Sequence, residues 1–196
     1  MQNIPLLNNI CNYCNERNKI NFQIIGNNKP IILTLKENNT KYNKNYINIF
    51  QNIQYFCCRD NKKIKNINNL QELKILDCNC SIINQIEIYN LLYLDCFNNE
   101  KIKQVNHLTK LEVLICENYF KYYNGYTRLC QSGFFKLCNI RYLDCSGNEK
   151  INDINHLQKL EKIICRGASG LINDGISKLQ NICNYCNEQN KMEIII

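Results

Sequence analysis

A spacing that returns about every 20 residues constrains this chain more than anything else in it. In "IRYLDCSGNEKI", Ile140, Leu143, Cys145, Asn148 and Ile151 stand at offsets 0, +3, +5, +8 and +11. The same offsets hold at Leu91, Leu94, Cys96, Asn99 and Ile102, and at Ile53, Phe56, Cys58, Asn61 and Ile64. A unit this short cannot bury its apolar side chains alone. A fixed period in this range therefore predicts a solenoid, in which successive units stack and share one core.

Units begin at residues 10, 30, 53, 73, 91, 111, 140, 160 and 182, in steps of 20, 23, 20, 18, 20, 29, 20 and 22. The +3 column is apolar or aromatic throughout, from Tyr13 to Tyr185. The +5 column carries Cys58, Cys78, Cys96, Cys116, Cys145 and Cys165, with Asn15 and Asn187 in the terminal units. The +8 column is mostly Asn, broken by Ser81, Tyr119 and Ala168. Another apolar column lies three residues before each start, and only the unit at Pro30 lacks it, with Asn27 there.

These columns resemble the leucine-rich repeat, L-x-x-L-x-L-x-x-N/C followed by an apolar position. The resemblance runs from about Leu7 to Lys191. "INDINHLQKLEKIICRG" is most similar to the short-repeat class that includes internalins. Cys-containing repeats in an Asn-, Ile- and Lys-rich chain are also similar to those of giant DNA viruses and protists. The resemblance implies an α/β solenoid bent into a horseshoe, with one short parallel strand per repeat on the concave side. The convex side would hold 3-10 turns or short helices, and the Asn at +8 would bond backbone where the chain leaves the strand. It further implies a single domain over 1–196, of about nine repeats, with an insertion near 118–134 where the step lengthens to 29. The units with Tyr119, Ala168, Asn15 and Asn187 are expected to be irregular.

Fourteen cysteines would ordinarily suggest disulfides or zinc. Their register argues instead for small buried hydrophobes, six of them in one inward column. Such thiols are expected to be reduced and inert, as in a cytoplasmic rather than a secreted protein. "NICNYCNERNK" (9–19) and "NICNYCNEQNK" (181–191) each contain a C-x-x-C pair: Cys11 with Cys14, and Cys183 with Cys186. Eight strand spacings of ~4.8 Å would hold the two pairs roughly 40 Å apart, so no four-Cys metal site and no cofactor is expected. The terminal units read as degenerate caps. The tail "MEIII" is expected to fold back as a last strand, or the solenoid ends to self-associate. "MQNIPLLNN" lacks the features of a signal peptide, and no apolar run is long enough to span a membrane.

With +3 and +5 inward, +2, +4 and +6 should face outward on the concave sheet. This makes Tyr55, Arg59, Asp77, Tyr93, Asp95, Phe97, Ile115, Glu117, Tyr142 and Asp144 a candidate protein-binding face. Aromatic rings would anchor a partner and carboxylates would favour its Lys or Arg. The competing reading is that "YLDC" is an inherited repeat phrase with no selected partner. The insertion, with Tyr119, Phe120, Tyr122, Tyr123 and Tyr126, is a second candidate surface.

No P-loop, G-x-S-x-G, H-E-x-x-H or G-x-G-x-x-G occurs. The two histidines, His107 and His156, occupy equivalent repeat positions in "NHL". Asp77 and Asp95 would neighbour one another, but an open wet sheet is expected to leave their pKa values ordinary. The reading is a non-enzymatic protein–protein interaction module. One alternative is the substrate receptor of a ubiquitin ligase, weakened because few residues precede Ile10 to form an F-box. The other is nucleic-acid binding through convex lysines such as Lys62, Lys63, Lys65, Lys101, Lys103 and Lys150. The net charge of +7 permits it, but interleaved acidic residues disfavour it.

Overall fold

The computed structural model describes residues 52–118, 129–166, 170–171 and 175, together with the backbone of three further strands. Among the described residues nine strands form one sheet in chain order. They are β1 (Phe22–Gln23), β2 (Ile31–Thr34), β3 (Ile53–Cys57), β4 (Ile75–Asp77), β5 (Tyr93–Asp95), β6 (Val113–Ile115), β7 (Tyr142–Asp144), β8 (Lys162–Ile164) and β9 (Glu193–Ile194). From β2 to β8 every neighbour is parallel. The unit at Pro30, despite its missing column, supplies β2.

The strand residues are the +2, +3 and +4 positions, chiefly β-branched and aromatic types that suit a pleated surface. Neighbours align column on column: Leu76 pairs with Phe56 and Leu94, and Leu143 with Leu114 and Ile163. One irregularity, between Ile31 and Ile32, breaks the register of β2 on β3.

The two ends depart from the expected pattern. The first and ninth units were expected to add parallel strands near 12–14 and 184–186, which lie outside the described residues. The places beside β2 and β8 are taken by β1 and β9, both antiparallel. The tail thus folds back as a last strand: Ile194 pairs with Ile163, and Glu193 with Ile164.

The core lies between the sheet and the convex segments. The +3 residues Phe56, Leu76, Leu94, Leu114 and Leu143 are all fully buried. The six column cysteines are buried beside them, and the ten cysteines among the described residues are free thiols. Four convex segments close with a tight turn between the residues six and three before the next unit. Leu70 N donates to Ile67 O, Leu108 N to Val105 O and Leu157 N to Ile154 O, each at 2.9 Å, and Leu137 N to Phe134 O at 3.1 Å. These i to i+3 bonds are the 3-10 type that a short unit can accommodate.

Phe134 therefore occupies the column of Ile67, Val105 and Ile154, and it is fully buried. Residues 129–134 belong to the convex layer, so the insertion is narrower than 118–134. Residues 119–128 lie outside the described residues. The 3-10 turn Gln131–Gly133 locks this layer to both neighbours. Gln131 Oε1 accepts from Asn152 N and Asp153 N at 3.1 and 3.0 Å, and Gly133 O accepts from Val105 N at 2.7 Å. A Cβ at Gly133 would lie 2.2 Å from Lys103 O, so only glycine allows this approach.

The Asn column does what the resemblance implies. Asn99 is fully buried; its Oδ1 accepts from Lys101 N (2.8 Å) and Ile102 N (3.1 Å). Its Nδ2 donates to Ser81 Oγ (3.2 Å) and Cys78 O (3.4 Å) in the preceding turn. Asn61 repeats both backbone bonds, and Asn148 repeats the first, its Oδ1 accepting from Lys150 N at 3.1 Å. One feature escaped the sequence reading. The +7 residues Asp60, Cys80, Asn98 and Gly147 all take positive φ, between 47° and 64°. That left-handed residue turns the chain off the sheet. Its N–H continues the ladder to the next unit, as from Cys80 N to Phe97 O at 2.8 Å.

Candidate protein-binding face

The +2, +4 and +6 side chains do stand on the sheet face opposite the core, but much of that face is buried. Tyr55 is 6% exposed, Tyr93 4%, Asp77 1% and Asp95 4%. The expectation of exposed aromatic anchors at the centre of the arc is therefore corrected. Alternation assigns a side chain to a face without saying how closely its neighbours stand. Parallel strands in strict register set like columns side by side, ~4.8 Å apart, which brings successive rings and aliphatic chains into contact. Tyr55, Cys57, Tyr93 and Val113 form a second apolar cluster, with Ile75, Ile115 and Tyr142 half-buried against it. The accessible part comprises Arg59, Ile75 and Phe97 and, toward β6–β8, Ile115, Glu117, Tyr142 and Asp144, all half-buried.

The carboxylates have structural work in their own turns. Asp95 Oδ1 accepts from Phe97 N at 3.0 Å, and Asp144 Oδ1 from Ser146 N at 3.1 Å. Asp77 Oδ1 accepts from Asn79 N at 3.4 Å. An Asp bonding the N–H two residues on is a turn device, so "YLDC" encodes the strand's end as well as its surface. Arg59 bridges Asp77 and Asp95, with Nε 2.5 Å from Asp77 Oδ2 and Nη2 3.3 Å from Asp95 Oδ2. Cys57 Sγ donates to Asp77 Oδ2 at 3.5 Å.

Burial raises the Asp95 carboxyl to about 7, and the Asp77 charge adds to the shift. Burial and the neighbouring Asp144 raise Glu117 to about 7 as well. Asp144 is raised in turn, chiefly by burial. The expectation of ordinary carboxylates on a wet sheet does not hold: the face is tighter and drier than an open arc. Asp77 and Asp95, nearly enclosed and held by Arg59, offer no reacting atom access in this arrangement.

The inward cysteines are driven the other way from reactivity. Burial, reinforced by the adjacent thiols, raises Cys58, Cys78, Cys116 and Cys145 well above the usual range. Cys130 differs: the Ser132 hydroxyl, 3.2 Å away, lowers it. The histidines are repeat residues in structure too. His107 Nε2 bonds Ile86 O, and the His156 ring meets Phe134 edge-on at 5.0 Å between centroids. Among the described residues no group of three or more His, Cys, Asp or Glu could hold a metal ion, and no helix is long and apolar enough to cross a membrane. The terminal C-x-x-C pairs and the insertion's tyrosines lie outside the described residues.

The sequence matches no protein-family model and no curated protein. Among solved structures, the chain is similar to the functional domain of InlJ from Listeria monocytogenes, described as including a cysteine ladder. The match has 24% identity and a TM-score of 0.49, and it covers 66% of this chain and 29% of that one. The chain thus spans under a third of that protein's length. The register itself carries the assignment: one short parallel strand per turn, inward Leu and Cys columns and a buried Asn column give this chain a leucine-rich repeat fold.

Proposed function

We propose that this chain is a non-enzymatic protein-binding module that engages its partner on the β6–β8 part of the concave face. The observation that carries the reading is the second apolar cluster, on the sheet face that the core does not use. Its half-buried edge, Ile115 and Tyr142, is rimmed by Glu117 and Asp144. An aromatic and aliphatic patch beside carboxylates suits a partner segment with apolar and Lys or Arg side chains.

The test is affinity capture from cytosol with wild type and the double variant Glu117→Lys, Tyr142→Ala. These side chains are half-buried, so the fold should survive, which circular dichroism checks. The reading expects a protein retained by wild type and lost by the variant. Identical captures from the two, or none from wild type, would remove this face from consideration.

A further inference from the structure

The sequence reading disfavoured a nucleic-acid ligand because acidic residues are interleaved with the lysines. The fold takes four of the carboxylates away from the lysines, while Glu87 and Glu100 stay in the convex segments. Asp77, Asp95, Glu117 and Asp144 stand on the concave face, whereas Lys63, Lys65, Lys101 and Lys103 are exposed on convex segments. The three ion pairs among the described residues, Arg59 with Asp77 and with Asp95 and Arg141 with Glu161, involve none of these lysines.

Two adjacent convex segments enclose a groove of about 460 Å³. Tyr89, 58% exposed, forms one wall, and His107 meets it edge-on at 5.9 Å between centroids. The His107 ring is fixed by its Nε2 bond to Ile86 O. Lys101 and Lys103 contribute two ammonium groups against the single carboxylate of Glu87, which Gln85 already engages. The preceding turn continues the row, since Asn84 N donates to Lys65 O at 3.5 Å. An exposed ring beside unpaired cations is the pairing that stacks a base and holds its phosphate.

We propose that this convex groove binds a nucleotide unit, its base stacked on Tyr89 and its phosphate held by Lys101 and Lys103. The row through Lys65 and Lys63 suits the next phosphates of a single strand. The groove is independent of the concave face, so either proposal stands if the other fails.

The test is fluorescence anisotropy with labelled oligothymidylate and, in a second arm, competition by adenosine monophosphate. Oligothymidylate should bind at low salt and weaken as salt rises. Tyr89→Ala should weaken binding about tenfold or more. Lys101→Gln with Lys103→Gln should flatten the log–log salt slope by about 0.7, the share of the one phosphate they hold. Phe135→Ala, at an exposed ring outside the groove, should change nothing. If the mononucleotide competes as well as the oligomer does, the groove takes a free nucleotide; if far more weakly, it takes a strand. Absence of binding by both probes at low salt, or variants that bind as wild type does, would overturn the proposal. Thermal unfolding of each variant separates lost binding from lost fold.

Discussion

Replacing Asn99 with alanine tests whether the buried Asn column holds the turns together. Asn99 makes four bonds: it accepts from Lys101 N and Ile102 N, and donates to Ser81 Oγ and Cys78 O. Alanine leaves the Ile102 N–H buried and unpaired and the Lys101 N–H partly so. Each orphaned buried donor costs about 1–3 kcal/mol. The two acceptors matter less, because Cys78 O also takes Ser81 N at 3.1 Å. A loss of about 3–5 kcal/mol follows, a large share of the ~5–15 kcal/mol typical of a whole domain. Ser81 provides an internal comparison in the same column: its Oγ accepts from Ile83 N at 3.4 Å and from Asn99 Nδ2 at 3.2 Å, and that Nδ2 keeps Cys78 O when the hydroxyl is removed. Ser81→Ala should therefore cost about 1 kcal/mol. Urea unfolding followed by circular dichroism gives both values from the midpoint, provided the slope is unchanged. If Asn99→Ala costs no more than Ser81→Ala, the column does not bear the turns and the reasoning fails.

Three further outcomes follow from the same geometry. The Asp95 carboxyl is raised to about 7 from 3.8, so between those values the folded state binds more protons than the unfolded one. Its contribution is then greatest below pH 4 and is lost as pH rises through 7, by up to about 1.4 kcal/mol per pH unit for one proton. Asp95→Asn should flatten the pH dependence of urea stability between pH 4.5 and 6.5 (approximate limits set by that shift), and an unaltered profile would refute the assignment. Gly147→Ala should lower the melting temperature sharply, because φ is 64° there and a Cβ would lie 2.1 Å from Asn118 O; the left-handed conformation alone costs about 1–2 kcal/mol. Cys145, fully buried, acts as a small hydrophobe, so Cys145→Ser should destabilise more than Cys145→Ala in the same unfolding assay.

The core was legible in the sequence because burial is what the period encodes. Leu94, Cys96 and Asn99 fall where the offsets place them, and so do their equivalents in the neighbouring turns. The candidate face was legible only as a direction. Alternation puts Tyr93 and Asp95 on the concave side, but their burial depends on Tyr55, Ile75 and Val113 standing beside them, which no single unit contains. The left-handed +7 position was hidden because Asp60, Cys80, Asn98 and Gly147 share no side-chain chemistry; their backbone conformation is what repeats. The edges of the insertion were blurred because Phe134 belongs to the regular convex column although its spacing from the preceding unit is irregular. The ends departed most. β9 is the fold-back that the tail "MEIII" suggested, whereas β1 runs antiparallel beside β2 with no signal for it in a parallel repeat. The Tyr89 groove was invisible for a related reason, since its aromatic wall and its lysines come from different turns.

One register, with cysteines pointing inward in every turn from β3 to β8, is the claim on which the rest stands. Native-state alkylation with iodoacetamide, read by peptide mass spectrometry, tests it most directly. Cys138, exposed, and Cys130, with its lowered pKa, should be modified rapidly. Cys58, Cys78, Cys96, Cys116, Cys145 and Cys165 should react only at the rate of global unfolding, and all should react at once in denaturant. Modification of any of these six at the rate of Cys138 would place that cysteine outside the core and contradict the register.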